Sequence, residues 1–251
     1  MDPKQIKLSV RDHYARAARG EPSCCSDPAE LGYGRDALDA VPAEVRQASL
    51  GCGSPVAAAD LRPGERVLDL GSGAGLDLWL AARAVGPQGR VWGVDMTPEM
   101  VERARAAAAR AGLANVTIMP GEIEALPLPD GCVDAVISNC VINLSPDKPR
   151  VFREAFRVLA PGGRFVVADM LATAPLPAAL AADPESWSAC IGGAVPEAEY
   201  VGALRAAGFA AVEVRAESGG AAVCGEGLVG EAPGGAPLRV YSAVIRAVKP
   251  G

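Results

Sequence analysis

The run Asp69-Leu70-Gly71-Ser72-Gly73-Ala74-Gly75 restricts this chain more than any other, because it joins a short apolar stretch to a helical one. Arg66–Leu70 reads as a buried strand and Leu76–Val85 as a helix, so the three glycines fall where an open α/β sheet receives its ligand. Glycine at that turn lets the backbone approach a ligand that any Cβ would repel. The dinucleotide spacing G-x-G-x-x-G would require glycine where Leu76 stands, so the form here is D-x-G-x-G-x-G. Asp95 ends the next predicted strand, residues 91–95, and can accept hydrogen bonds from both hydroxyls of a ribose. Together these features predict a nucleoside site.

The alternation continues. Thr97 and Pro98 open a helix that ends near Gly112, and residues 116–119 and 133–138 read as strands. Residues 149–159 read as a helix closed by Pro161-Gly162-Gly163, followed by a strand over 164–169. This pattern predicts an α/β fold with a doubly wound parallel sheet. A helix over 197–207 precedes two late strands, 211–215 and 240–248, which suit an antiparallel edge hairpin and bring the strands to seven. Residues 1–60 are expected to form an N-terminal helical, cysteine-bearing segment and 61–251 the domain that carries the nucleoside site. Within the latter, 171–195 is an irregular insert and 219–237 a Gly/Ala-rich connection.

With 251 residues, half of them hydrophobic, the chain can bury one full core. Its formal charge of −6 and scattered basic residues exclude a nucleic-acid footprint. No uncharged apolar stretch approaches the ~20 residues of a membrane span, and the N-terminus lacks the apolar core of a secretory signal. A cytoplasmic protein is expected, its seven cysteines free thiols.

The single histidine, His13, lies in the charged run Arg11-Asp12-His13-Tyr14 and reads as exposed, so a histidine base is not expected. No Cys-x-x-Cys pair occurs, which disfavours zinc and predicts no metal cofactor. The cysteines stand singly instead. Cys140 follows a strand, Cys190 lies in the insert and Cys52 precedes the core, all toward the ligand edge of the sheet. Cys132 reads as a small buried side chain and Cys224 as a peripheral thiol.

The glycine run resembles motif I of class I S-adenosylmethionine-dependent methyltransferases. Leu50-Gly51-Cys52-Gly53, Ile137-Ser138-Asn139-Cys140-Val141-Ile142-Asn143-Leu144 and Trp187-Ser188-Ala189-Cys190 resemble more narrowly the arsenite S-adenosylmethionine methyltransferase family. The likeness runs over about residues 50–209 and adds Cys24-Cys25 upstream; longer members of that family carry a further C-terminal domain. It implies a Rossmann-like seven-stranded sheet and S-adenosylmethionine as cofactor. Asp69, Gly71, Ser72, Gly73, Gly75, Asp95, Met96, Glu122, Ile123 and Asn139 would bind it, Glu122 and Ile123 at the adenine and Asn139 beside the methionine moiety. Trivalent arsenic, free or as a thiol conjugate, would be held by Cys52, Cys140 and Cys190, and the products would be methylarsenicals formed in arsenic detoxification.

Soft arsenic(III) takes thiolates and keeps a lone pair that can attack an activated methyl group. Forming the carbon bond oxidises the arsenic, so thiols must return electrons, with Cys24, Cys25 and Cys52 as candidates. Adjacent cysteines rarely bridge one another, so a bond from Cys24 or Cys25 to Cys52 is expected, reopened by a reductant such as thioredoxin or glutathione. Two other readings share the fold: a methyltransferase for an organic acceptor, and a non-catalytic thiol-based metalloid-binding protein.

Overall fold

The computed structural model describes residues 2–21, 31–216, 227–232 and 235–251. Four helices come first: α1 (Pro3–Ala18), α2 (Arg35–Asp39), α3 (Ala43–Arg46) and α4 (Pro55–Ala58). The alternating region follows as β1 (Arg66–Leu70), α5 (Leu76–Val85), β2 (Arg90–Asp95), α6 (Pro98–Arg110), β3 (Val116–Pro120), β4 (Val133–Asn139), α7 (Lys148–Val158) and β5 (Leu159–Ala172). The chain then runs through α8 (Ala178–Ala181), α9 (Pro184–Ser188), β6 (Val195–Pro196), α10 (Glu197–Ala206), β7 (Ala210–Ala216), β8 (Gly227–Glu231) and β9 (Pro237–Val248). Among the described residues no helix is long and apolar enough to cross a membrane.

Seven strands lie side by side in the order β3-β2-β1-β4-β5-β9-β7, with β6 and β8 as short additions beside β5 and β9. The first five are parallel, and the chain reverses direction across the sheet between β1 and β4. That reversal leaves a crevice at the strands' carboxyl ends, where Asp69, Asp95 and Asn139 stand. The two late strands pair antiparallel as their spacing predicts, and β9 takes the inner place, antiparallel to β5 as well as to β7.

Strand side chains alternate between two apolar layers. Leu68, Leu70, Val136 and Val167 pack with Val151, Phe152 and Ala155 of α7 and with Tyr200 and Leu204 of α10. Val67, Val91, Ala135, Ile137 and Val166 pack on the other side with Leu78, Ala81 and Val85 of α5 and with Val101 and Ala104 of α6. The buried residues of α7 recur every three or four positions, giving it one wet and one dry face, and Asp147 caps it by accepting from the Arg150 N–H.

Regular structure that the sequence does not suggest occurs at residues 178–188 of the insert and at residues 227–231 of the connection. In the insert, Asp183 caps α9 by accepting from the Ser186 N–H, and Trp187 Nε1 donates to the Ala181 carbonyl at 2.9 Å, folding α8 and α9 together. In the Gly/Ala-rich connection, β8 exists because β9 outruns its neighbour. β7 covers β9 over residues 243–248, leaving residues 237–240 an open edge that β8 takes up.

Candidate active site

A cleft opens at the carboxyl ends of the central strands, as expected for the ligand site of an open α/β sheet. Its floor is the glycine turn. Gly71, Gly73 and Gly75 have φ of +64°, +50° and +97°, the left-handed region that glycine enters without strain. A Cβ on Gly71 would strike the side chain of Val141. The Gly71 and Ser72 N–H groups both donate to the Val94 carbonyl, at 2.8 and 3.2 Å, so the turn is bound to β2. Asp95 accepts from the Gly73 N–H at 2.9 Å and from the Thr97 N–H at 2.8 Å, which fixes its carboxylate beside that turn.

Asp69, Asp77 and Asp95 are all buried and all line the cleft. Burial raises the pKa of each; the Asp69 carboxyl is pushed further by the charges of Asp77 and Asp95, and that of Asp77 rises to about 6. Asp69 Oδ2 and Ser72 Oγ have no hydrogen-bond partner among the described residues. Buried acids with open valences are the groups a cationic, hydrogen-bonding ligand would complete.

Nine of the ten residues expected at the cofactor line this cleft: Asp69, Gly71, Ser72, Gly73, Gly75, Asp95, Met96, Ile123 and Asn139. Glu122 does not. Its side chain is 54 % exposed and pairs with Lys7 at 2.8 Å, whereas Glu124, two residues on, faces inward. The short antiparallel bridge Glu122–Ala125 turns the chain and sets which acid points in. Glu124 accepts from Ser145 Oγ at 2.6 Å and pairs with Lys7 at 3.0 Å. Sequence reasoning also passed over Asp77, in the first turn of α5, and Lys7, Val10 and Tyr14 of α1, which close one side of the cleft. The acid two residues beyond the last glycine was the available signal for Asp77.

Cys52, Cys140 and Cys190 lie together beside the cleft, in an apolar cluster with Ile6, Val10, Leu144, Met170 and Trp187. Cys52 and Cys140 form a disulfide across 88 residues, with Cα atoms 5.7 Å apart. Cys52 and Cys140 are therefore not the free thiols expected, because packing β4 against the loop before α4 brings the two sulfurs together; Cys24 and Cys25, the expected partners of Cys52, lie outside the described residues, as does Cys224. The Cys190 thiol donates to the Cys140 carbonyl at 3.1 Å. Both Cys140 and Cys190 hold left-handed backbone, with φ of +57° and +60°, costing roughly 1–2 kcal/mol each for an L-residue. Cys132 is half-buried at the opposite end of β4, with its thiol pKa raised by burial.

The glycines on either side of Cys52 have a steric cause. A Cβ on Gly51 would enter the Asn139 carboxamide, and one on Gly53 would lie 2.7 Å from the Ala168 Cβ. The loop is further fixed by Cys52 N–H donating to Asn139 Oδ1 and by Ser242 Oγ donating to the Cys52 carbonyl, both at 2.8 Å.

The Cys190 loop rests on buried polar groups. Asn143 Nδ2 donates to the Cys190 carbonyl at 3.5 Å and to that of Met170. Lys148, lowered to about 8 by burial, donates to the Asn143 and Ser145 carbonyls and stands 5.5 Å over the Trp187 ring.

The family model described as "Methyltransferase domain" matches residues 61–211. An arsenite methyltransferase of Halobacterium salinarum is 45 % identical over 233 residues, which are 85 % of this chain and 59 % of that protein. One from Aquipseudomonas alcaligenes is 39 % identical over 213 residues, 80 % of this chain and 61 % of that one. The chain thus spans about three fifths of the length of these curated relatives. The crystal structure of an arsenic(III) S-adenosylmethionine methyltransferase from Chlamydomonas reinhardtii superposes with a TM-score of 0.72 at 39 % identity, covering 86 % of this chain and 73 % of that one.

Proposed function

From the chain's membership of the arsenic(III) S-adenosylmethionine methyltransferase family, we propose that it transfers a methyl group from S-adenosylmethionine to trivalent arsenic held by Cys52, Cys140 and Cys190. The observation that carries this reading is the convergence of three sulfur-bearing residues next to a nucleoside-type cleft, with Cys140 directly after the cleft residue Asn139.

The cleft suits the cofactor. It combines a side-chain-free glycine cradle, the Asp95 carboxylate in position for a ribose, and two buried polar atoms, Asp69 Oδ2 and Ser72 Oγ, awaiting partners. When bound, S-adenosylmethionine supplies a methyl group already activated by its sulfonium. The protein therefore needs to align the acceptor and exclude water more than to provide a base. The apolar cluster around the cysteines meets the second need.

With the disulfide reduced, the three thiolates hold arsenic(III) in a pyramid whose lone pair is the nucleophile. Its attack forms the arsenic–carbon bond, and the electron pair of the broken sulfur–carbon bond stays on the departing thioether. The arsenic thereby rises from +3 to +5. Two of the thiolates leave the arsenic as a disulfide and so return the two electrons, a bond that Cys52 and Cys140 are placed to form; the methylarsenic(III) stays on Cys190, its open valence filled by an incoming thiolate or by hydroxide from water. A cellular dithiol reductant such as thioredoxin, or glutathione, then reopens the disulfide. Cys24 or Cys25 would take part by exchange with Cys52. We place this activity in the cytoplasm, where thiols stay reduced, and assign arsenic detoxification as its purpose.

The test is methyl transfer from labelled S-adenosylmethionine to arsenite under excess dithiol, with the arsenic products separated by chromatography. Labelled methylarsenicals support the proposal. Arsenite binding without labelled product would move the chain to a metalloid-binding role, and no arsenite binding would leave an organic acceptor.

A further inference from the structure

Behind the cleft wall lies a network that the glycine turn does not explain. The hydroxyl of Tyr33, which is buried in the segment before α2, stands 2.8 and 2.9 Å from the two carboxylate oxygens of Asp77. That hydroxyl also accepts from Asn139 Nδ2 at 2.8 Å. The same Nδ2 faces the Gly53 carbonyl at 2.7 Å and Asp77 Oδ2 at 3.2 Å, while Asn139 Oδ1 accepts from the Cys52 N–H. A flipped carboxamide would turn an oxygen toward three oxygens and strip the Cys52 N–H of its acceptor, so the orientation is fixed.

Asp77 and Asn139 line the cleft, whereas Tyr33 stands behind them. Among the described residues no cation pairs with Asp77 or with Asp69, and Asp69 Oδ2 has no partner. Lys7, the cation that lines the cleft, is engaged by Glu122 and Glu124. A buried carboxylate held only by neutral donors calls for a positive ligand group. The cofactor's amino-acid end brings one, its ammonium.

Resting on the cofactor reading above, we propose that Asp77 receives this ammonium and that Tyr33 is its positioning residue. Tyr33 fixes the Asp77 carboxylate directly and, through Asn139, keeps the Cys52 loop in register with the same end of the cofactor. The reacting methyl and the arsenic-bearing loop are thus aligned by one hydrogen-bonded group.

The test is calorimetric binding of two ligands to the reduced full chain: S-adenosylhomocysteine, and 5′-methylthioadenosine, which shares the nucleoside thioether but has no amino-acid end. Tyr33→Phe keeps the buried ring and removes the hydroxyl. It should weaken S-adenosylhomocysteine by about tenfold, the effect of a hydrogen bond to a charged group, and leave methylthioadenosine within about twofold. Asp77→Asn should show the same selectivity, and the double variant should be no weaker than Asp77→Asn alone. Equal weakening of both ligands, unchanged S-adenosylhomocysteine affinity or additive losses would overturn the proposal. If Tyr33→Phe does not fold, the selectivity of Asp77→Asn decides. A wild-type chain that binds neither ligand would overturn this proposal together with the cofactor reading, whereas normal wild-type binding with an indifferent Tyr33→Phe would sink the proposal alone.

Discussion

Cys190 donates its thiol to the carbonyl of Cys140 at 3.1 Å, and both residues hold left-handed backbone that most side chains avoid. Strain at two sulfur-bearing positions that meet is the kind of feature that surrounding structure maintains where function uses it. Cys140→Ser or Cys190→Ser should therefore lower arsenite methylation at least about a hundredfold while S-adenosylhomocysteine binding stays within about twofold. Product chromatography and calorimetry check the two halves separately, and full methylation by either variant would contradict the proposed role.

The closed Cys52–Cys140 bond ties up two of the three sulfurs proposed to hold arsenic. Oxidised protein should bind no arsenite, and a dithiol should restore one equivalent. Trp187, packed in the same cluster as the three cysteines, should report the binding by a change in fluorescence. Cys52→Ser should remove the redox dependence along with the tight binding.

Gly51 lies against the Asn139 carboxamide with no room for a methyl group. Gly51→Ala should cost about 1–3 kcal/mol, the usual range for overpacking, and should also loosen the Cys52 N–H bond to Asn139. Denaturant unfolding measures the first effect. Methylation lost beyond that expected from the unfolded fraction measures the second.

Asp169 gives a pH dependence of stability. Burial raises its carboxyl pKa to about 7, although the Met170 N–H and the Tyr200 hydroxyl donate to it. The folded chain then keeps a proton that the unfolded chain loses near pH 4, so this contribution is full below about pH 4 and lost as pH rises through 7. Asp169→Asn should differ little from wild type in acid and gain on the order of a few kcal/mol above pH 7. Melting curves across that range check it, and a gain that does not grow with pH would refute the cause.

The sheet, the glycine turn and the Asp95 position were legible because each rests on local pattern: apolar strands, a helix start and glycines needed at left-handed φ. The inward acid was not, since the phase between Glu122 and Glu124 depends on a single backbone bridge to Ala125. Nor was the Cys52–Cys140 pairing, because the partners are separated by 88 residues and meet only once β4 and the N-terminal loop are packed. Tyr33 carries no motif, and its importance arises from where Asn139 and Asp77 receive it. β8 reads as a linker because its strand character comes from the open edge of β9.

The claim that arsenic sits among three protein sulfurs is tested most directly by X-ray absorption at the arsenic edge, on fully reduced protein holding one equivalent of arsenite and freed of small thiols. Three sulfur neighbours are expected, falling to two in Cys190→Ser. Oxygen neighbours dominating the wild-type spectrum, or three sulfurs retained in that variant, would contradict it.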